Sequence, residues 1–232
     1  MVETGFIMPL WLSLAAIFLS FLTAMIIYIR RSFKEVTLTL LMLLSLLLFA
    51  KNILLTFSAF AKSASTFYEP LFEAGEFVLL VLIFRSSFQQ SLFKEWINYL
   101  LVGFLSVVGT LHATKINSNT DYLLPIAITE ASLLVLFSVL TLLILIRNQF
   151  IFIFHSALFW IAGGTLFYMS MVLAVEAVER NAWFKDYTER DKQLLLATFG
   201  IVRLFFYLIA ALIRQSRQQE EDWKFFKNSF PE

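Results

Sequence analysis

Five ionisable residues interrupt segments of the sequence that are otherwise almost entirely apolar. Two are basic and three are acidic: Lys51, Arg203, Glu73, Glu76 and Glu130. A charged side chain inside a bilayer costs free energy, so it is usually found where it pairs with another charge or binds a ligand. If all five are ionised, the set carries one excess negative charge, which a proton or a cationic ligand would balance. We therefore expect these residues to form a site for a small charged ligand, an ion or a proton.

The spacing of the acidic residues indicates which way they face. Glu69, Glu73 and Glu76 are four and three residues apart, which places all three on one face of a helix. An acidic stripe of this kind is expected to face the interior of a bundle and not the lipid. Further candidates for the lining of the same cavity are Asn52, Glu69, Tyr168, Ser170 and Tyr207.

The segments that carry these residues are expected to be transmembrane helices. Of the 232 residues, 59% are hydrophobic and 15% are charged, with a mean hydropathy of +0.79, whereas soluble domains have roughly 45–50% and about 25%. A spanning helix needs about 20 mainly apolar residues. Hydropathy predicts an all-α bundle of seven spans, the third being the weakest because acidic residues interrupt it: 6–29, 36–59, 67–86, 95–113, 122–146, 151–176 and 193–213.

The distribution of basic residues predicts the orientation of this bundle. With the N-terminus outside, the cytoplasmic segments hold about ten lysines and arginines and the outer loops about six, which follows the positive-inside rule. The first segment is predicted to be a retained helix and not a cleaved signal peptide, because Glu3 precedes it and its apolar run is too long. These features favour a multi-pass protein of a prokaryotic plasma membrane.

The depth of the five interior charges can be estimated from the outer ends of the predicted spans. At about 1.5 Å per residue, they lie roughly 10 to 16 Å below the outer surface. A polar cavity that opens toward the extracytoplasmic side is therefore expected. The alternative is purely structural: Lys51 would pair with Glu73 or Glu76, and Arg203 with Glu130, to set the register of the helices.

The C-terminal segment 214–232 is polar and then aromatic, and it is predicted to continue the last span as a cytoplasmic helix. It is either an interfacial helix whose aromatic residues lie among lipid headgroups, or an output segment that contacts a membrane or cytoplasmic partner. The sequence thus favours a receptor or sensor-like module that signals through the last helix. A small ion- or proton-coupled transporter and a non-catalytic subunit of a larger membrane complex remain as alternatives.

Several other classes of function find no support in the sequence. The chain has no cysteine, and its two histidines, His112 and His155, lie near opposite membrane faces, so they are not expected to share a haem. No lysine in 193–213 is available for a retinal Schiff base. Without a hydrolase or phosphate-binding motif, we expect no enzymatic activity, cofactor or metal site. A net charge of +1 gives no reason to expect a nucleic-acid partner, and the bilayer is the expected environment.

Overall fold

The computed structural model describes residues 10–30, 35–58, 65–88, 91–115, 123–148, 153–180 and 189–213. In these ranges all regular structure is helical and there is no strand. A short 3₁₀ helix, Ile153–His155, precedes the sixth α-helix. The seven α-helices are α1 (Leu10–Ile29), α2 (Val36–Ser58), α3 (Ser65–Arg85), α4 (Ser91–Lys115), α5 (Leu123–Asn148), α6 (Ala157–Arg180) and α7 (Glu189–Leu212).

The prediction of an all-helical chain with seven helices is confirmed in the described residues, and each helix begins and ends within six residues of its predicted bounds. In the described residues, five of them (α1, α2, α5, α6 and α7) are long and apolar enough to cross a membrane. In α1, two buried hydroxyl groups are satisfied within the helix: Ser20 donates to the Ala16 carbonyl at 2.6 Å, and Thr23 to the Leu19 carbonyl at 2.8 Å. Such bonds let a polar residue lie in an apolar helix without an unsatisfied donor. These features indicate a multi-pass membrane protein.

Six of the helices form a closed ring. Going around it, α1 packs against α2, α2 against α3, α3 against α5, α5 against α6, α6 against α7, and α7 back against α1. The remaining helix, α4, packs on the outside of α3. The closest aromatic contact at that boundary joins Phe77 of α3 to Phe104 of α4, with ring centroids 4.4 Å apart.

Contacts between helix ends show the relative directions of three helices: α1 and α7 run in the same direction, and α6 runs opposite to both. At one end, Arg30 after α1 donates to the Ala211 and Leu212 carbonyls at the C-terminus of α7, at 3.1 and 2.5 Å. We call this the Arg30 end. At the opposite end, Lys192 in the first turn of α7 lies 2.9 Å from Glu176 near the C-terminus of α6. We call this the Lys192 end.

Helix α3 is the most enclosed part of the bundle near the Arg30 end, although hydropathy makes it the weakest predicted span. Phe77, Leu80, Ile83 and Phe84 are fully buried there, because α2, α4 and α5 all pack against this helix. Acidic residues lower the hydropathy of α3. Its apolar half is nevertheless buried, because it packs against other helices of the protein.

The sixth helix begins later than the predicted residue 151. The Ser156 amide donates to the Ile153 carbonyl at 3.1 Å and the Phe159 amide donates to the Ser156 carbonyl at 3.1 Å, which are the i to i+3 bonds of a tight turn. The Trp160 indole N–H donates to the Phe154 carbonyl at 2.8 Å and holds this turn against α6. The apolar run of the sequence therefore contains a turn followed by a helix. The predicted tail, 214–232, lies outside the described residues.

Candidate functional site

The charged residues singled out by the sequence come together in the interior of the ring. Helix α2 contributes Lys51, α3 contributes Glu73 and Glu76, α5 contributes Glu130 and α7 contributes Arg203, and all five interact electrostatically. We call this set the interior charge cluster. Part of it lies nearer the Lys192 end of the bundle, because Lys51 is in the second half of α2 whereas Glu73 and Glu130 are in the first halves of α3 and α5. Glu76 lies at the middle of α3.

The deepest part of the interior charge cluster is an ion pair between Arg203 and Glu76. The Arg203 Nη1 donates to the Glu76 Oε1, and each residue is only 5% exposed. The pair joins α7 to α3, which do not pack along each other in the ring. The long arginine side chain thus crosses the middle of the bundle to reach its partner.

Aromatic side chains complete the surroundings of Arg203. Its Cζ lies 4.1 Å from the centre of the Tyr168 ring and 5.7 Å from that of Tyr207. A guanidinium above an aromatic face is attracted by the negative potential of the ring. Tyr207 is itself fully buried, and its hydroxyl lies 2.9 Å from the Thr165 hydroxyl of α6. This bond fixes α6 and α7 in one register at the level of the arginine.

A close approach of α6 to α7 positions the Arg203 backbone. A Cβ atom added at Gly164 would lie 2.6 Å from the Cβ of Phe206 and 3.5 Å from the carbonyl oxygen of Arg203. At Gly163 the nearest atom would be 3.6 Å away, at the edge of the Phe206 ring. Small residues are used in this way where membrane helices pack closely. The tight contact therefore depends on Gly164 and not on its neighbour.

The second ion pair of the cluster is longer and more open. The Lys51 Nζ lies 3.8 Å from the Glu73 Oε1, and the two side chains are 19% and 47% exposed. Lys51 is also attracted by Glu76. The acidic stripe therefore divides: Glu76 faces the interior as expected, whereas Glu73 reaches the boundary of the bundle. The Glu69 side chain lies outside the described residues.

The third carboxylate, Glu130, takes no direct part in either pair. It is half-buried on α5 and is repelled by Glu76 and Glu73, while Lys51 and Arg203 attract it. In the part of the chain that the structure describes, Arg203 pairs with Glu76, and not with Glu130 as the sequence-based pairing had it. The alternative pairing of Lys51 with Glu73 is found.

The remaining predicted residues have more varied positions. Tyr168 and Tyr207 both lie against Arg203, while Asn52 is half-buried next to Lys51 in sequence and its carbonyl accepts a bond from Thr56. Ser170 is exposed, which separates it from the interior. The His155 side chain is exposed at the Arg30 end, and that of His112 is outside the described residues. Nowhere in the described ranges do three metal-binding side chains gather in one group.

Sequence reasoning missed two polar contacts, one beside Arg203 and one at the Lys192 end of the bundle. One is the bond from Thr165 to Tyr207, and the other is the ion pair of Glu176 with Lys192, whose side chains are 14% and 16% exposed. Opposite charges on both sides of the short segment between α6 and α7 are the signal that would have found the second. Thr165 gives no such signal, because a single hydroxyl in an apolar run commonly bonds to its own helix.

Comparisons with known protein families, with curated proteins and with solved structures find no match to this chain. The functional interpretation therefore depends on the residues themselves and on the contacts among them.

Proposed function

We propose that the protein is a receptor or sensor-like membrane module. In this proposal the interior charge cluster binds a small charged ligand, an ion or a proton, and α7 passes the change to the cytoplasmic side. The observation that carries the proposal is the convergence of five ionisable side chains from four helices, two of them joined in the buried Arg203 and Glu76 pair. Intramembrane charges gathered in this way are typical of functional sites.

Helix α7 is well placed to act as the output element. It contributes Arg203 to the interior charge cluster, and its C-terminal carbonyls accept hydrogen bonds from Arg30 directly before segment 214–232 begins. A change in the pairing of Arg203 would therefore act on the same helix that leads into the predicted cytoplasmic tail. Only a short length of continuous helix separates Arg203 from the C-terminal carbonyls that Arg30 contacts.

The proposal includes seven spans, an outer N-terminus and a prokaryotic plasma membrane. Arg30, Arg85 and Arg147 all lie at the Arg30 end, which supports placing that end in the cytoplasm under the positive-inside rule. Exposed aromatic residues lie near both ends: Trp11 is in the first turn of α1, and Tyr28 is in its last turn. Such residues are enriched at membrane interfaces.

The binding proposal is tested with purified protein in lipid nanodiscs. Thermal unfolding is followed across pH and in ammonium, tetramethylammonium, acetate and phosphate salts at constant ionic strength. We expect one of these conditions to raise the unfolding temperature, and Glu73→Gln and Glu130→Gln to remove that shift. Glu176→Gln is the matched control, because it neutralises a paired carboxylate outside the interior charge cluster and should leave the shift unchanged.

Two outcomes would contradict this function. An unfolding temperature that responds to none of these conditions would contradict the proposal that the interior charge cluster is a binding site. Net uptake of one of the same ions into proteoliposomes, lost in Glu130→Gln and kept in Glu176→Gln, would show that the cluster serves transport instead of sensing.

The orientation is tested by cysteine labelling, which is clean because the chain has no native cysteine. Ser86→Cys places a thiol at the Arg30 end and Gln193→Cys places one at the Lys192 end, and both positions are exposed. In intact cells, a membrane-impermeant maleimide should label Gln193→Cys only. Labelling of Ser86→Cys alone would reverse the proposed orientation.

A further inference from the structure

The charges of the interior charge cluster do not balance. Arg203 is matched by Glu76, to which it donates directly, and Lys51 is matched by Glu73 at 3.8 Å. Each pair is neutral when both members are ionised. Glu130 is then the residue that leaves the cluster with one negative charge.

The surroundings of Glu130 disfavour that negative charge. Two further carboxylates, Glu73 and Glu76, face it from α3, and the cations that face it are Lys51 of α2 and Arg203 of α7. Helix α6, which also packs against α5, carries Tyr168, and the ring of Tyr168 lies against Arg203. Both cations thus have another carboxylate as their nearest partner. In the described residues no hydrogen bond or ion pair reaches Glu130 itself, so nothing at short range stabilises its ionised form.

An ionised carboxylate that is partly buried without a direct partner is costly, and the usual response of a protein is to neutralise it. A metal ion needs several oxygen ligands at once, but Glu73 and Glu76 are already engaged by Lys51 and Arg203. A proton needs a single carboxylate oxygen and no rearrangement of the other four side chains. It is therefore the smallest change that removes the excess charge.

We propose that Glu130 carries a proton in this arrangement of the helices, and that reversible loss of this proton regulates the interior charge cluster. This inference rests on the proposed function and names the proton as its regulator. When the Glu130 O–H bond breaks, the proton passes to water and the electron pair stays on the carboxylate. The new anion then competes with Glu73 for Lys51.

Lys51 is the mobile partner in this step. The ion pair of Lys51 with Glu73 is more exposed than the pair of Arg203 with Glu76, and its charged atoms are farther apart. Arg203 and Glu76 are both buried. If Lys51 moves toward Glu130, its positive charge no longer attracts α3 to α2 through Glu73. It attracts α5 to α2 through Glu130 instead. Deprotonation is thus converted into a change in which helices are held together.

Infrared spectroscopy of the full chain in nanodiscs tests the proposal, because the carbonyl stretch of a protonated carboxyl group is separate from that of a carboxylate. At neutral pH we expect a carboxylic acid band in the wild type that fades as the pH is raised. Glu130→Gln should lack this band, and Glu130→Asp should shift it without removing it. Glu176→Gln should keep the wild-type band.

A wild-type band at neutral pH that persists unchanged in Glu130→Gln, or the absence of any pH-dependent acid band in the wild type, would overturn the proposal. These results are distinguishable from failure of the proposed function. A salt-dependent thermal shift without the acid band would support the proposed binding site and contradict only the proposed proton on Glu130. The Glu130→Asp variant guards against misfolding, because it retains a carboxyl group at the same position.

Discussion

Arg203 of α7 and Glu76 of α3 form a buried ion pair between two helices that do not pack along each other. The pair links α3 and α7 across the middle of the ring, and the rings of Tyr168 and Tyr207 lie against its guanidinium group. Taking two charges out of water is expensive, and removing one partner leaves the other buried and uncompensated. The pair is therefore a strong constraint on the arrangement of the helices, and its removal should have a large effect.

A double-mutant cycle on this pair should show strong coupling. We expect Glu76→Gln or Arg203→Gln alone to lower the free energy of unfolding by about 3 to 5 kcal/mol. The double variant should cost clearly less than the sum of the two, because it leaves no isolated charge. Equilibrium unfolding in mixed micelles measures all four proteins. Additive effects of the two substitutions would show that the contact does not couple α3 to α7.

The Tyr168 ring should contribute through its π face and not through its hydroxyl. Because the Arg203 Cζ lies 4.1 Å from the ring centre, Tyr168→Phe should stay close to wild-type stability. Tyr168→Leu should lose about 0.5 to 2 kcal/mol, the range of cation–π interactions. The same unfolding assay compares the two variants. Equal losses in both would point to the hydroxyl group instead.

The two adjacent glycines of α6 should respond differently to a methyl group. Gly164→Ala places a Cβ 2.6 Å from the Phe206 Cβ, which cannot rotate away, whereas Gly163→Ala meets only ordinary contact at 3.6 Å. We expect Gly164→Ala to destabilise the protein by about 1 to 3 kcal/mol, as overpacking does. Gly163→Ala is the matched control and should be close to neutral. Similar unfolding midpoints for the two variants would contradict the close approach of α6 to α7.

The hydrogen bond between Thr165 and Tyr207 should be worth a modest amount. Such bonds between membrane helices average about 0.6 kcal/mol and reach about 1.7 kcal/mol. Tyr207→Phe, Thr165→Val and the double variant form a cycle whose coupling free energy should fall in that range. Unfolding measurements that give no coupling would mean that the two hydroxyls bond elsewhere.

Arg30 should protect the last turn of α7. Its Nη1 donates to the Ala211 and Leu212 carbonyls, which have no partner within their own helix. In Arg30→Gln we expect faster amide hydrogen exchange over residues 208–213 than in the wild type. Arg147→Gln is the control, because Arg147 is an exposed basic residue in the last turn of α5. An unchanged exchange rate in Arg30→Gln would show that α7 does not depend on this contact.

The seven helices and the residues that stand out in them could be predicted from the sequence alone. Length and hydropathy are properties of a contiguous segment, so an apolar run of about 20 residues reveals itself without knowledge of its neighbours. Lys51, Glu130 and Arg203 were recognisable for the same reason, since a charge in such a run is rare. The spacing of Glu73 and Glu76 also placed them on one side of α3. The excess of one negative charge among the five residues of the interior charge cluster likewise follows from the sequence alone.

Only the tertiary structure decided which charges meet. Arg203 is 127 residues from Glu76 in sequence, and the choice of Glu76 over Glu130 depends on the order and rotation of the helices around the ring. The same order places α4 outside the ring and encloses α3, although acidic residues interrupt the apolar sequence of α3. Helices that are apolar on all sides give little periodic signal about which face turns inward. Packing between distant segments supplies that information, and it leaves Glu130 as the carboxylate without a direct partner among the described residues.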